Sequence, residues 1–320
     1  MRASTIHSEQ GRFRITELDV SPPEISDTQL LVRVRATSLN RGELAGKVPE
    51  GQSKRFGNEA AGEVIAVGKN VREFQVGDRV MGRCEGGCAE QVAMDEHEAM
   101  HAPAHLDWTQ AAAIPLVFTV AYDMLFWHRS VGSGDTVLIT GVPSGVGIAS
   151  MQLAKAMGAR VIGTSTRQEK LDALLSHGLD VPLLAAGPGF AQKVQESTGG
   201  KGVQLAINIV GGSLFEDCLA SLAIGGRLAI VGHVDGTKSS QIDLASLHAK
   251  RLSVFGVSNK YRTPAERAEL VRDMKKDALP FFREGGIVPL IHRVFNASDA
   301  QAAIELMQSN AHTGKIILTL

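Results

Sequence analysis

Two hydrophobic rhythms divide the chain. Between about residue 11 and residue 115 the apolar runs are short and period-two. Leu30–Ala36 (LLVRVRA) alternates apolar with basic residues, as a half-buried strand does. Ala61–Val67 is a second such run, ended by Gly68, and Val76-Gly77-Asp78 turns into another at Arg79-Val80-Met81. No strand–helix–strand alternation occurs here, so the pattern predicts a small antiparallel barrel. Helical spacing takes over across Trp108–Arg129, in two pieces, Thr109–Ile114 and Thr119–Phe126, with Pro115 expected to break them.

The second rhythm starts at Val137-Leu138-Ile139, a short apolar strand. It turns through Gly141, Pro143, Ser144, Gly145 and Gly147 into a helix with apolar positions at Val146, Leu153, Ala154 and Met157, closed by Gly158. A second strand follows at Val161–Ile162. Val181–Leu184, Val203–Val210, Gly226–Gly232 and Leu252–Gly256 continue the series, with a helix over Leu214–Ala223. Strands joined by crossover helices in this way predict an α/β fold with a doubly wound parallel sheet. The tail reads as a helix over Pro264–Arg283, a short helix over Ala297–Gln308 and a strand at Lys315–Leu320.

Composition narrows the function classes. A net charge of −1 gives no electrostatic reason to bind nucleic acid or an anionic membrane. No apolar run approaches the roughly 18 residues of a membrane span, and the first residues lack the apolar core of a secretory signal. The 3 cysteines, Cys84, Cys88 and Cys218, cannot pair completely, which fits a reducing, cytoplasmic setting.

The chemistry concentrates at the glycine turn. Backbone N–H groups at a helix start point at a pyrophosphate, and the helix dipole favours its charge. Ser144, Gly145, Val146 and Gly147 supply that helix start, although only the last glycine of a G-x-G-x-x-G pattern is in register. In NAD binders an acid about 20 residues further on holds the ribose 2′-hydroxyl. Here the second strand ends Gly163-Thr164-Ser165-Thr166-Arg167, and no acid appears before Glu169. Thr164 and Ser165 hydroxyls with Arg167 and Lys170 suit a 2′-phosphate, so NADPH is the expected cofactor.

By these residues the chain resembles the medium-chain dehydrogenase/reductase superfamily, in its zinc-independent quinone oxidoreductase (zeta-crystallin-like) branch. The resemblance spans essentially the whole chain. It is carried by Ser38-Leu39-Asn40, Gly57–Val64, Gly77–Val80, Thr119 within Phe118–Tyr122, Ser144–Gly147, Gln152–Lys155, Gly225–Arg227 with Gly232, and Gly314-Lys315. It implies a GroES-like β-barrel catalytic domain, residues 1–118 with 260–320, and a Rossmann dinucleotide-binding domain, residues 119–259, with the nicotinamide in the cleft between them. It also implies cleft roles for Asn40 and Thr119, of which Asn40 could donate to a substrate carbonyl, and cofactor contacts at Gly232 and Lys315. NADPH-dependent relatives carry a Lys matching Lys170, but the Tyr they use in the next loop is Ala185 here. The Tyr that relatives carry between Arg41 and Pro49 is also missing.

Zinc relatives have a His where Asn58 stands and a Cys near Leu39–Arg41, where this chain has none. Catalytic zinc takes three His, Cys or carboxylate ligands, so no metal is expected. His97, His101 and His105 recur at helical spacing, but Pro103 interrupts any shared helix face. The expected activity is hydride transfer from NADPH to a quinone or an α,β-unsaturated carbonyl compound. An enoyl or alkenal reductase inactive on quinones stays open, as does a non-catalytic NADPH-binding, crystallin-like protein. The apolar edge strand at Leu252–Phe255 and the resemblance together imply a homodimer.

Overall fold

The computed structural model describes residues 1–9, 12–45, 48–49, 52–128 and 131–320. The expected helix end at Arg129 lies outside the described residues. The chain divides into two compact units, Met1–Thr119 with Thr263–Leu320, and Val120–Arg262.

The first unit opens with β1 (Arg2–Glu9), β2 (Arg12–Asp19), β3 (Gln29–Ser38), α1 (Arg41–Ala45) and β4 (Ser53–Arg55). It continues through β5 (Glu59–Val67), β6 (Arg79–Arg83), β7 (Gln91–Asp95), β8 (Ala99–His101), α2 (Trp108–Ala112) and the start of α3 (Pro115–Tyr122), whose last residues from Val120 belong to the second unit. The break expected at Pro115 lies between α2 and α3, and Pro115 itself is the first residue of α3, so the second piece begins there and not at Thr119; proline lacks only an N–H that a helix start leaves unbonded anyway. A π-helical turn, Asp123–Trp127, extends α3.

In the second unit, β9 (Thr136–Ile139), α4 (Gly145–Ala156), β10 (Arg160–Ser165), α5 (Gln168–Leu175), β11 (Val181–Leu184), α6 (Ala191–Ser197) and β12 (Val203–Asn208) alternate without exception. They are followed by α7 (Phe215–Ala220), β13 (Leu222–Ile230), α8 (Leu244–Ala249) and β14 (Ser253–Gly256). The strand order is β11-β10-β9-β12-β13-β14, and every pairing is parallel. The order reverses between β9 and β12, the switch point where such sheets bind ligands at their carboxyl ends. The central strands are buried on both faces, with Val137, Leu138, Ile139, Val161, Ile162, Ala206 and Ile207 at 0% exposure, as helices on both sides require.

The chain then returns to the first unit with α9 (Pro264–Asp277), α10 (Leu279–Arg283), β15 (Ile291–Asn296), α11 (Ala300–Gln308) and β16 (Lys315–Thr319). The single helix expected over Pro264–Arg283 is two, broken at Ala278 by Pro280. The large sheet of this unit runs β15-β16-β3-β5-β6-β8, with β7 also on β3. Strand β3 is its pivot. Its pairings with β5, β7 and β16 are all antiparallel, and Ser38 at its end lies opposite Ile317 of the final strand. That register carries the last residues of the chain to the Ser38-Leu39-Asn40 turn. The inner faces of β3, β5 and β7 form one core with Leu30, Val32, Val64, Val80 and Met94. The three-stranded sheet β2-β1-β4 packs Ile6 into a second core with Ile316, Leu318 and α11.

Candidate active site

In the first unit, a buried carboxylate organises the residues around Asn40. Glu59 opens β5 and is 0% exposed. A carboxylate in such a place must be paired and fully hydrogen-bonded. Oε1 accepts from the Ser38 hydroxyl, from Asn40 Nδ2 at 2.7 Å and from Lys315 Nζ at 3.0 Å. Oε2 accepts from the backbone N–H of Leu116, at the start of α3, at 2.7 Å. Four donors from β3, the following turn, α3 and β16 saturate the group.

Lys315 is also buried. Its ammonium donates to Glu59, to Asn40 Oδ1 at 2.9 Å and to the Leu39 carbonyl at 3.1 Å. All three of its protons are used. The cofactor contact expected of Lys315 would require one of these bonds to be given up.

Asn40 is therefore held by both ends of its amide. Oδ1 must face the ammonium and Nδ2 the carboxylate, which fixes the amide orientation. Among the described residues the second Nδ2 proton meets the Ser38 carbonyl, at 3.4 Å, a weak bond. Thr119 lies one turn along α3 from Leu116, buried, with its hydroxyl donating to the Pro115 carbonyl and 3.4 Å from Met274 Sδ.

A second buried acid is one that sequence reasoning passed over. Glu43 in α1 accepts from the Asn40 backbone N–H at 3.1 Å and from the Gly57 N–H at 2.9 Å. Asn40-x-x-Glu43 has the spacing at which an N3 acid reaches back to the residue before a helix, which is the sequence signal that could have found it. Ser38 and Glu59 stood in recognised motifs, but nothing in the linear sequence showed that they converge. Burial pushes the Glu43 carboxyl from 4.5 up to about 7; the Gly57 hydrogen bond pulls it down, the Glu59 charge raises it further, and Lys315 offsets little of this.

In the second unit, the glycine turn has the geometry that phosphate binding needs. Ser144 caps α4, its hydroxyl accepting from Gly147 N–H at 3.2 Å. The first-turn N–H groups of Gly145 and Val146 have no carbonyl partner within the helix. Gly147 is required sterically: a Cβ there would stand 2.6 Å from the Val142 carbonyl and 2.9 Å from that of Gly141. Thr164 at the end of β10 braces the turn, accepting from Gly141 N–H at 3.3 Å through its hydroxyl and from Val142 N–H at 3.0 Å through its carbonyl. Ser165 is buried, and its hydroxyl accepts from Arg167 N–H at 3.2 Å. Arg167 is exposed ahead of α5, 3.5 Å from Glu169, and Lys170 follows in the first turn of that helix. Gly232 follows β13 on the same carboxyl side of the sheet.

The Alcohol dehydrogenase GroES-like domain family matches residues 26–104, and the Zinc-binding dehydrogenase family matches residues 145–276. Quinone oxidoreductase-like protein 2 homolog of Nematostella vectensis is 30% identical, over 97% of this chain and 87% of that protein. Acryloyl-coenzyme A reductase of Metallosphaera sedula is 26% identical over the full length of both. A mycobacterial protein solved in complex with NADPH superposes with a TM-score of 0.87, at 27% identity and 100% coverage of both chains. Other matches fall inside polyketide synthases, of which the chain spans 8–14%. The chain belongs to the medium-chain dehydrogenase/reductase superfamily and is an oxidoreductase with a GroES-like domain and a parallel-sheet Rossmann-like domain.

Among the described residues no three His, Cys, Asp or Glu side chains converge. His97, His101 and His105 sit on a 3-10 turn, a strand and a loop. Cys84 and Cys88 are buried, which pushes their thiols up, that of Cys88 to about 11, so they stay protonated and poor ligands.

The raised Glu43 pKa has a signed consequence. Protonated Glu43 is favoured in the folded state, so its contribution to stability is fully present below about pH 4.5. It declines as pH rises and is lost above about pH 7. A shift of this size corresponds to about 3 kcal/mol. Denaturant unfolding of the protein and of Glu43→Gln should show the wild-type-minus-variant free energy falling by about that amount across this window. A pH-independent difference would contradict the assignment.

Proposed function

We propose that the protein is a zinc-independent, NADPH-dependent reductase of quinones or α,β-unsaturated carbonyl compounds. The observation that carries this is the Glu59–Asn40–Lys315 cluster. The one cation among these groups has all three protons committed to Leu39, Asn40 and Glu59. Such a site offers a rigid neutral donor and little proton delivery, so the acceptor must already be electrophilic.

Bound NADPH supplies the hydride. Asn40 gives up the weak bond to the Ser38 carbonyl and donates that proton to the substrate oxygen, where conjugation places the developing negative charge. Glu59 and Lys315 keep the amide aimed, and Thr119 lines the same end of the first unit. An aimed donor of this kind stabilises the transition state by roughly 3 kcal/mol. Solvent supplies the proton at the adjacent carbon. Ser144, Gly145, Val146 and Gly147 would hold the pyrophosphate, and Gly232 would contribute to the same cofactor site. Thr164 shapes the turn, and Ser165, Arg167 and Lys170 receive the 2′-phosphate. The relatives named for quinone and acryloyl-coenzyme A reduction, and the neighbour solved with NADPH, support the acceptor class and the cofactor.

The first test is acceptor range. In the presence of a strong chelator, cyclohexenone-like enones or naphthoquinones should oxidise NADPH, while saturated ketones should not and primary alcohols should not be oxidised. Asn40→Ala should lower kcat about a hundredfold with little change in NADPH affinity. Loss of turnover with the chelator, or a normal rate in Asn40→Ala, would contradict the proposal.

Cofactor choice gives a second test. NADPH should bind at least about tenfold more tightly than NADH, a gap of about 1.4 kcal/mol. Arg167→Ala should close much of it while leaving NADH binding nearly unchanged. Equal affinities in the unmodified protein would remove the 2′-phosphate assignment.

We also propose a homodimer through β14, which pairs only with β13 at the end of the parallel sheet and exposes Val254 to 38%. An unprotected apolar edge invites a second strand. Light scattering should give twice the chain mass, and Val254→Pro should halve it; a monomer before substitution would refute the proposal.

A further inference from the structure

Glu43 has no place in the chemistry above, yet it costs the fold something to keep. It is 4% exposed and lies near a second buried acid. Its two oxygens go to different segments. Oε1 takes the backbone N–H of Asn40, and Oε2 takes that of Gly57, two residues before Glu59. The turn that presents the Asn40 amide and the strand start that presents its anchor are thus joined through one carboxylate. Each segment is already constrained at the other end, Asn40 by Lys315 and Glu59 by Leu116 N–H.

We propose that Glu43 is a positioning residue whose ionised carboxylate clamps the Asn40 turn to the Gly57–Glu59 strand start and so sets the aim of the Asn40 side chain.

The clamp depends on charge because of what each form can accept. An ionised carboxylate accepts on both oxygens; a protonated one carries an O–H on one of them and cannot serve both amides equally. One of the two segments then loses its anchor. The charged groups that face Glu43 among the described residues do little to hold it ionised. Glu59 on β5 repels it, and Lys315 on β16 is spent on Glu59 and Asn40. The Lys54 ammonium of β4 bonds the backbone carbonyl of Glu43 at 2.8 Å. The Cys84 and Cys88 thiols are buried and neutral. With its carboxyl raised to about 7, Glu43 changes state across the neutral range. The clamped geometry therefore belongs to the alkaline side of that midpoint. A buried acid left ionisable at a cost in stability is the kind of compromise that function imposes.

The clamp rests on Asn40 standing at the reacting end, so the test reads the clamp and the chemistry separately. Amide resonances of the NADPH-bound full chain are followed through the neutral range. Three signals decide: the backbone amides of Asn40 and Gly57, and the side-chain Nδ2 protons of Asn40. All three should shift together with one midpoint near 7. In Glu43→Gln, whose amide accepts on one atom only, they should not titrate. On an enone acceptor, kcat should rise through the same midpoint in the wild type. In the variant it should be pH-independent and roughly tenfold lower, with NADPH affinity and KM little changed. The wild-type titration alone decides if the variant does not fold. Backbone amides that titrate while the Asn40 side chain stays still would make Glu43 a structural brace and overturn the proposal, as would three signals that never move. Joint titration without turnover of any acceptor would leave the clamp standing and refute the reductase reading instead.

Discussion

The burial of one carboxylate governs the first unit. Glu59 has no access to water, and an uncompensated charge there would cost several kcal/mol. Its compensation comes from segments distant in the sequence: the Ser38–Asn40 turn, the start of α3 at Leu116, and Lys315 near the last residue. The order of the strands follows this need. Strand β16 must lie against β3 to deliver Lys315, and the Ile317–Ser38 register does so. The same bonds that satisfy the charge leave Asn40 with a fixed amide and a weakly held second proton. A stability requirement and the proposed catalytic geometry are thereby met by one set of contacts, which makes the cluster hard to alter piecemeal.

The second unit solves a different problem with backbone groups. The central strands of its parallel sheet are dry on both faces, and the expected dinucleotide contacts lie at the carboxyl ends of the strands. There the helix start after Ser144 offers N–H groups without committing a charged side chain. Positive charge enters at the exposed end of β10, where Arg167 and Lys170 follow three hydroxyl residues, Thr164, Ser165 and Thr166. This division explains how one fold can bind a large anion without an overall basic character: net charge is −1.

Much of this second unit was legible in the sequence because its information is local. Val137–Ile139, the glycine turn and the helix to Gly158 show their periodicity within a short window, and the strand series follows from repetition. The first unit was less legible. The hairpin of β1 and β2 has no strong alternation, since β2 is largely exposed. Pro115 marked the break between two helices, but not that the second begins at the proline itself. The knot on Glu59 was only half visible. Asn40 and Lys315 could be singled out, but their meeting depends on pairing across the whole chain, which no local pattern encodes. Glu43 was missed because a buried acid looks in sequence like any other acid; only the Asn-x-x-Glu spacing hinted that it faces inward. The expectation that no zinc binds, in contrast, needs no long-range pairing, since Asn58 and the cysteine positions are matters of residue identity.

In the proposed reaction the Asn40 amide, held between Glu59 and Lys315, stabilises charge on a conjugated oxygen while hydride goes to the far carbon. The direct measurement is to supply NADPH deuterated at the transferred position, reduce a cyclic enone, and locate the label in the product. Deuterium at the β-carbon of the saturated ketone, with a solvent proton at the α-carbon, is the predicted result. Label on the carbonyl carbon of an allylic alcohol would contradict it, because hydride would then have entered where this site provides no means of delivering a proton to the alkoxide.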